Sequence, residues 1–202
     1  MKHYLFLILL LLISCKKNEA RKEITPKDEL LNLRYEVLNQ LIKSDSATLG
    51  FNHFIYNSTL SPVNIDIEDN EIRPLGIDLK YDSIFLQKDS GYYKNQERNV
   101  LNFKFDKSRI KGKLKYITGQ ELQELQELQE IKESNFWTEF DKKYGHNCIR
   151  RFSVPFFNKD KTMCIVQNSM SCGPLDGGGN TIIYKKKNGK WVVLRTFDRW
   201  VS

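Results

Sequence analysis

Thr181-Ile182-Ile183-Tyr184-Lys185-Lys186-Lys187-Asn188-Gly189-Lys190-Trp191-Val192-Val193-Leu194 is the stretch that decides the fold. Asn-Gly between two apolar runs is the strongest short-range hairpin signal, because both residues accept the positive φ of a tight two-residue turn. Such a turn pairs Lys186 with Trp191 and Tyr184 with Val193 on one face. It pairs Lys185 with Val192 and Ile183 with Leu194 on the other. Both faces become apolar two or three pairs from the turn, so the sheet is expected to be covered on both sides. The two strands extend over Thr181 to Lys187 and Lys190 to Val201. Working back, Met163 to Val166 reads as a strand, Asn158 to Lys161 as a turn, and Phe152, Val154 and Phe156 as one face of a further strand. The last quarter of the chain is therefore a β-meander.

Period-two alternation continues upstream at Val63, Ile65 and Ile67, at Ile77, Leu79 and Tyr81, and at Leu101, Phe103 and Phe105. Polar residues between them predict antiparallel strands with one wet face. Leu114 and Tyr116 alternate with Lys111, Lys113 and Lys115, a lysine row that suits a solvated or edge face; contact with anionic lipid or glycan is the alternative. Two helical regions flank these strands. Thr25 and Pro26 open the first, with Asp28 and Glu29 at its positive end. Leu30, Leu33, Val37 and Leu41 then recur at helical spacing, and Ser44-Asp45-Ser46 is the expected stop. Thr118 and Glu121 have the spacing of a capping box. They open three Gln-Glu-Leu repeats, whose leucines step by three and so drift around a helix instead of forming a coiled-coil seam. Phe136, Phe140 and Tyr144 form a second helical stripe that Gly145 ends. The sum is an α+β fold over 25–202: a mostly antiparallel sheet with an N-terminal and a central helix packed on it. At fold level this is similar to nuclear transport factor 2 or cystatin domains, a likeness that carries no function.

The N-terminus carries an address. A charged start, an apolar run from Tyr4 to Ile13, and Ser14-Cys15 read as a secretory signal over 1–14. The run is half the roughly 20 residues of a membrane span. Leu12-Ile13-Ser14-Cys15 resembles the lipobox of bacterial lipoproteins. That resemblance implies cleavage before Cys15 and acyl chains on Cys15. Residues 15–24 then form a lipidated, flexible, charged spacer. Losing residues 1–14 removes one lysine and no acid, so the formal charge falls from +7 to +6. Spread over a whole domain, this charge gives only weak attraction to anionic surfaces. No basic-aromatic motif points to nucleic acid.

Three further cysteines, Cys148, Cys164 and Cys172, allow at most one internal disulfide and leave one thiol; the pairing is open. The segment Cys172, Gly173, Pro174, Leu175, Asp176, Gly177, Gly178, Gly179, Asn180 reads as a long glycine-rich loop between two strands, and its backbone amides make it a candidate ligand loop. It lacks the phosphate-loop, dinucleotide and nucleophile-elbow patterns. His146, Cys148, Cys164, Cys172 and Asp176 are too scattered for a structural zinc set, so neither metal nor cofactor is expected. His53 reads as packed among Phe51, Phe54 and Tyr56, and His146 as a cation at a helix end. No catalytic set emerges.

Phe136-Trp137, Tyr144, Phe157-Asn158-Lys159-Asp160-Lys161-Thr162, Cys172-Gly173, Gly177 to Gly179, Lys186 to Trp191 and Trp200-Val201-Ser202 together resemble a tail found in uncharacterised bacterial lipoproteins and exported proteins. The resemblance covers Phe136 to Ser202 and implies no defined activity. Those tails carry a second cysteine where Asp176 stands here, so a local bridge across the loop is not expected. The resulting expectation is a bacterial envelope lipoprotein, on the outer rather than the inner membrane. It is held by membrane lipid through Cys15 and binds a protein or envelope ligand. The alternatives are an immunity or inhibitor protein against a toxin or hydrolase, and an enzyme using the Cys172 to Asn180 loop.

Overall fold

A computed structural model of the chain describes residues 26–49, 53–61, 81–132 and 134–202. The leader, Cys15, the spacer and Thr25 lie outside them, as do the alternations at 63–67 and 77–80. Tyr81 sits in an irregular stretch. The chain divides into two units, Met1–Leu31 and Asn32–Ser202. Of the first, the described part is the start of a helix that Pro26 opens. The second holds the rest of that helix, the sheet and the other helices.

The fold is α+β. Among the described residues, four helices accompany a seven-stranded mixed sheet. In chain order these are α1 (Pro26–Leu49), β1 (Phe54–Asn57), α2 (Ser90–Leu101), β2 (Lys115–Ile117), α3 (Gly119–Lys132), α4 (Phe136–Tyr144), β3 (Cys148–Phe152), β4 (Phe156–Phe157), β5 (Met163–Gly173), β6 (Asp176–Lys187) and β7 (Lys190–Val201). The sheet order is β2-β1-β3-β5-β6-β7, with β4 beside β5. Pairs from β3 to β7 are antiparallel, and β1 is parallel to both β2 and β3. A parallel pair needs a long crossover, which α2, α3 and α4 supply.

Helices cover both faces of this sheet. From Asn32 onward, α1 lies on the face of Tyr56, Arg150 and Lys186. Arg150 makes a two-pronged ion pair with Asp45, Nε to Oδ2 at 3.0 Å and Nη2 to Oδ1 at 3.1 Å. Asp45 is thus a tertiary contact, and the helix continues past the expected Ser44-Asp45-Ser46 stop to Leu49. On the opposite face, α2 and the 81–86 segment bury Phe85, Tyr93 and Val100 against Val154, Phe156, Ile165 and Ile183. Farther along that face, α3 and α4 bury Leu125 and Phe140 against Ile55, Ile117 and Ile149.

Three side-chain amides join helices to backbone elsewhere in the chain. In α2, Gln96 Nε2 donates to Phe157 O and Gln96 Oε1 accepts from Phe157 N, both at 2.9 Å. In α1, Gln40 makes the same pair of hydrogen bonds to Trp191, donating from Nε2 to its O and accepting from its N at 2.8 Å. Asn39 donates to Arg109 O and accepts from Lys111 N. Each carboxamide copies the donor and acceptor of a neighbouring strand.

Several expectations need correction. Residues 101–105 are not a strand: Leu101 ends α2, and Phe103 and Phe105 pack on Tyr35 from irregular chain. The helix wins because Tyr93, Gln96 and Val100 share one buried face. Phe152, Val154 and Phe156 do not share one strand; Pro155 separates β3 from β4. His53 is exposed. The Asn188-Gly189 turn has the expected register as far as Tyr184↔Val193, but Leu194 is an extra residue in a bulge, and Ile183 pairs with Arg195. The outer strand β7 is not covered on both sides, for Val192, Val193 and Leu194 are 37%, 59% and 48% exposed.

The local helix signals read true. Glu121 Oε2 accepts from Thr118 N at 2.9 Å while Thr118 Oγ1 accepts from Glu121 N at 3.1 Å. Along α3, Leu125 is buried and Ile131 is 78% exposed, the drift that a three-residue step produces. Gly145 caps α4 at φ +75°.

Candidate functional site

The glycine-rich segment is not a long loop. Gly173 ends β5, Pro174 and Leu175 turn, and Asp176 begins β6. Gly177, Gly178 and Gly179 are strand residues opposite Ser171, Met170 and Ser169. Successive residues of a strand point to opposite faces. Gly177 and Gly179 therefore leave the face opposite α1 bare of side chains.

Beside that segment, Ser169 and Thr181 form the floor of a cleft of about 280 Å³. One cross-strand row runs through it, from Arg151 on β3 through Ser169 on β5 and Gly179 on β6 to Trp200 on β7. The next row contributes Gln167 and Thr181. Ser61 and Ser153 close one side, and Asp198 the other. The indole of Trp200 lies over Gly179: a Cβ there would stand 2.6 Å from Trp200 Nε1 and 2.8 Å from Asn168 O. Only glycine fits.

Asp198 owes its place to a second bulge. Gly179 pairs with Trp200 and Thr181 with Phe197, so Asn180 faces both Asp198 and Arg199. Asp198 takes the left-handed conformation at φ +48°, which aspartate tolerates better than most residues.

The polar groups here are under-used. The Arg151 guanidinium makes one hydrogen bond, from Nη1 to Ser171 Oγ at 3.3 Å, and no ion pair among the described residues. Burial lowers its pKa from the ordinary arginine value. Among the described residues, the Asp198 carboxylate and Trp200 Nε1 have no hydrogen-bond partner; both residues face solvent, Trp200 at 47% exposure. On the α1 face the contrast is complete: Arg150 holds Asp45 and Asn168 Oδ1, and Asn168 Nδ2 donates to Asn180 Oδ1 at 2.7 Å.

The other candidates fall elsewhere. Cys148 and Cys172 form a disulfide between β3 and β5, while Cys164 is a buried free thiol whose pKa burial raises well above the ordinary value. Bonded Cys172 offers no thiolate. His146 is exposed beside Asp141, 2.7 Å away. Gly173 and Asp176 sit at the hairpin end, and neither they nor Gly177, Gly178 and Gly179 line the cleft; of the candidate loop only Asn180 does. No group of three His, Cys, Asp or Glu among the described residues is placed to hold a metal ion. No helix among them is long and apolar enough to cross a membrane. Arg151, Ser169, Asp198 and Trp200 carry no sequence motif; separate strands bring them together.

No family model, curated protein or solved structure matches this chain, so the likeness to nuclear transport factor 2 and cystatin domains has no matching structure behind it.

Proposed function

We propose that this chain is a lipid-anchored protein of a bacterial envelope, on the outer rather than the inner membrane, whose sheet cleft binds a ligand without transforming it. The lipobox at Cys15 supports the anchor. A cleft lined by a half-buried arginine, whose one hydrogen bond among the described residues goes to a serine hydroxyl, supports the ligand.

Two measurements test this. A fatty-acid probe should label the full-length wild type and miss Cys15→Ser; equal labelling removes the anchor. Detergent-solubilised full-length protein, incubated with low-mass envelope extract, should retain a compound identified by mass spectrometry. Ser169→Trp, which fills the floor, should lose it. Equal retention by both proteins removes the cleft from the reading.

The exposed run Val192-Val193-Leu194 on outermost β7 favours a second reading, an immunity or inhibitor protein that docks a toxin or hydrolase there. Val193→Asp should then abolish recovery of that toxin or enzyme while leaving small-molecule retention intact.

A further inference from the structure

We propose that the cleft takes one acidic sugar residue, with its carboxylate on Arg151, its hydroxyls on Asp198 and Ser169, and a C–H face on the Trp200 indole. This rests on the cleft being a binding site and names what it binds. Arg151 and Trp200 stand at opposite ends of one row spanning four strands. Three inter-strand spacings put their backbones roughly 14 Å apart. Both side chains are long enough to lean inward and leave room for one ring between them.

Chemistry then narrows the ligand. A guanidinium with no carboxylate of its own among the described residues matches a planar carboxylate best. The Asp198 carboxylate, an acceptor only, asks for a donor. The Trp200 indole, lying over Gly179 and 47% exposed, offers a flat apolar surface with a polar edge. A sugar acid carries all three features on one small ring: a carboxylate, several hydroxyls that donate and accept, and an apolar face of ring C–H groups.

A free α-amino acid is the nearest competitor. Its ammonium and carboxylate share one carbon, so it suits acid and base groups that lie side by side. Arg151 and Asp198 form no ion pair with each other, although both line the cleft. A ligand whose polar groups are spread around a ring answers that separation better. The cleft volume also suits a monosaccharide-sized group and lies below the usual range for larger ligands.

The test titrates full-length protein in detergent micelles by ligand-observed NMR with D-glucuronate, D-glucose, acetate and glycine. Glucuronate should bind at least roughly tenfold more tightly than glucose, the worth of one charge-assisted contact, and more tightly than acetate and glycine, which carry a carboxylate without the ring. Arg151→Gln should bring glucuronate down to the level of glucose, and Arg151→Lys should restore part of the difference. Trp200→Ala should weaken both sugars, and Trp200→Phe should keep much of the stacking. Thermal melts of each variant separate lost binding from lost folding. Glycine binding that depends on Arg151 and Asp198 would overturn the sugar and keep the cleft, as would glucose binding as tightly as glucuronate. If none of the four binds while Ser169→Trp still loses the compound retained from envelope extract, the sugar fails and the binding site stands. If Ser169→Trp loses nothing either, both fail.

Discussion

Gly179 shows how a single residue can set the shape of a site. Any side chain here meets the Trp200 ring and the Asn168 carbonyl, and the carbonyl belongs to a paired strand that cannot retreat. Gly179→Ala should destabilise the protein by about 1–3 kcal/mol, as over-packing generally does. Urea unfolding measures the loss, and a change in tryptophan emission should report the displaced indole. Glu121 carries a different kind of burden. Its carboxylate accepts from Thr118 N and Oγ1, from Tyr144 Oη and from Lys143 Nζ. The Thr118 backbone bond above all lowers its pKa to about 2. A folded pKa below the unfolded one gives stability that is full above about pH 4.5 and is lost as pH falls toward 2. Urea midpoints for wild type should therefore drop across that window, and Glu121→Gln should start lower at pH 7 and drop less.

At the scale of elements, short-range signals are legible in the sequence and long-range ones are not. The Asn188-Gly189 turn, the Thr118 capping box, the α4 stripe and the Gly145 stop each depend on residues within one or two turns of chain. The hairpin register follows from the turn until Leu194, where a bulge set by packing of the whole sheet intervenes. Helix α2 is hidden in the sequence because Gln96 occupies a core position, and its buried face is visible only once Phe157 is known to stand opposite. The triple glycine reads as loop because glycine is poor in strands. Long pairing with β5 and the cover of Trp200 override that preference. Its missing side chains do mark the segment, yet its partners Arg151 and Trp200 cannot be found without the strand order. Gln96 offers a direct check. Gln96→Leu strips the Phe157 N–H and C=O of partners in a buried setting, and should cost about 2–3 kcal/mol in urea unfolding.

For the molecule as a whole, the cysteines divide cleanly by role. The Cys148–Cys172 bridge ties β3 to β5 across a separation of 24 residues. Loop entropy alone values such a closure at about 3 kcal/mol. Cys164 is sealed in the core and held protonated by burial. Cys15 aside, thiol titration should count none in the native protein, one in denaturant and three in denaturant with reductant. A native thiol that reacts freely would contradict the core packing around Cys164. The three-cysteine arithmetic is visible from composition. The choice of pair is not, since it follows from Ile149 standing opposite Ser171 in the sheet.

The carboxamide joints carry a dynamic consequence. Trp191 sits at the start of the outermost strand and Phe157 on a two-residue strand, positions where backbone amides ordinarily exchange quickly with solvent. Each is held by a helix side chain instead, Trp191 by Gln40 and Phe157 by Gln96. Their N–H groups can open only when α1 or α2 lifts away. In deuterium exchange both should be as slow as the central strands in wild type, and each should become fast, independently of the other, in Gln40→Ala and Gln96→Ala. Two amides at the margins of the sheet thus act as separate gauges of whether the two helices are seated.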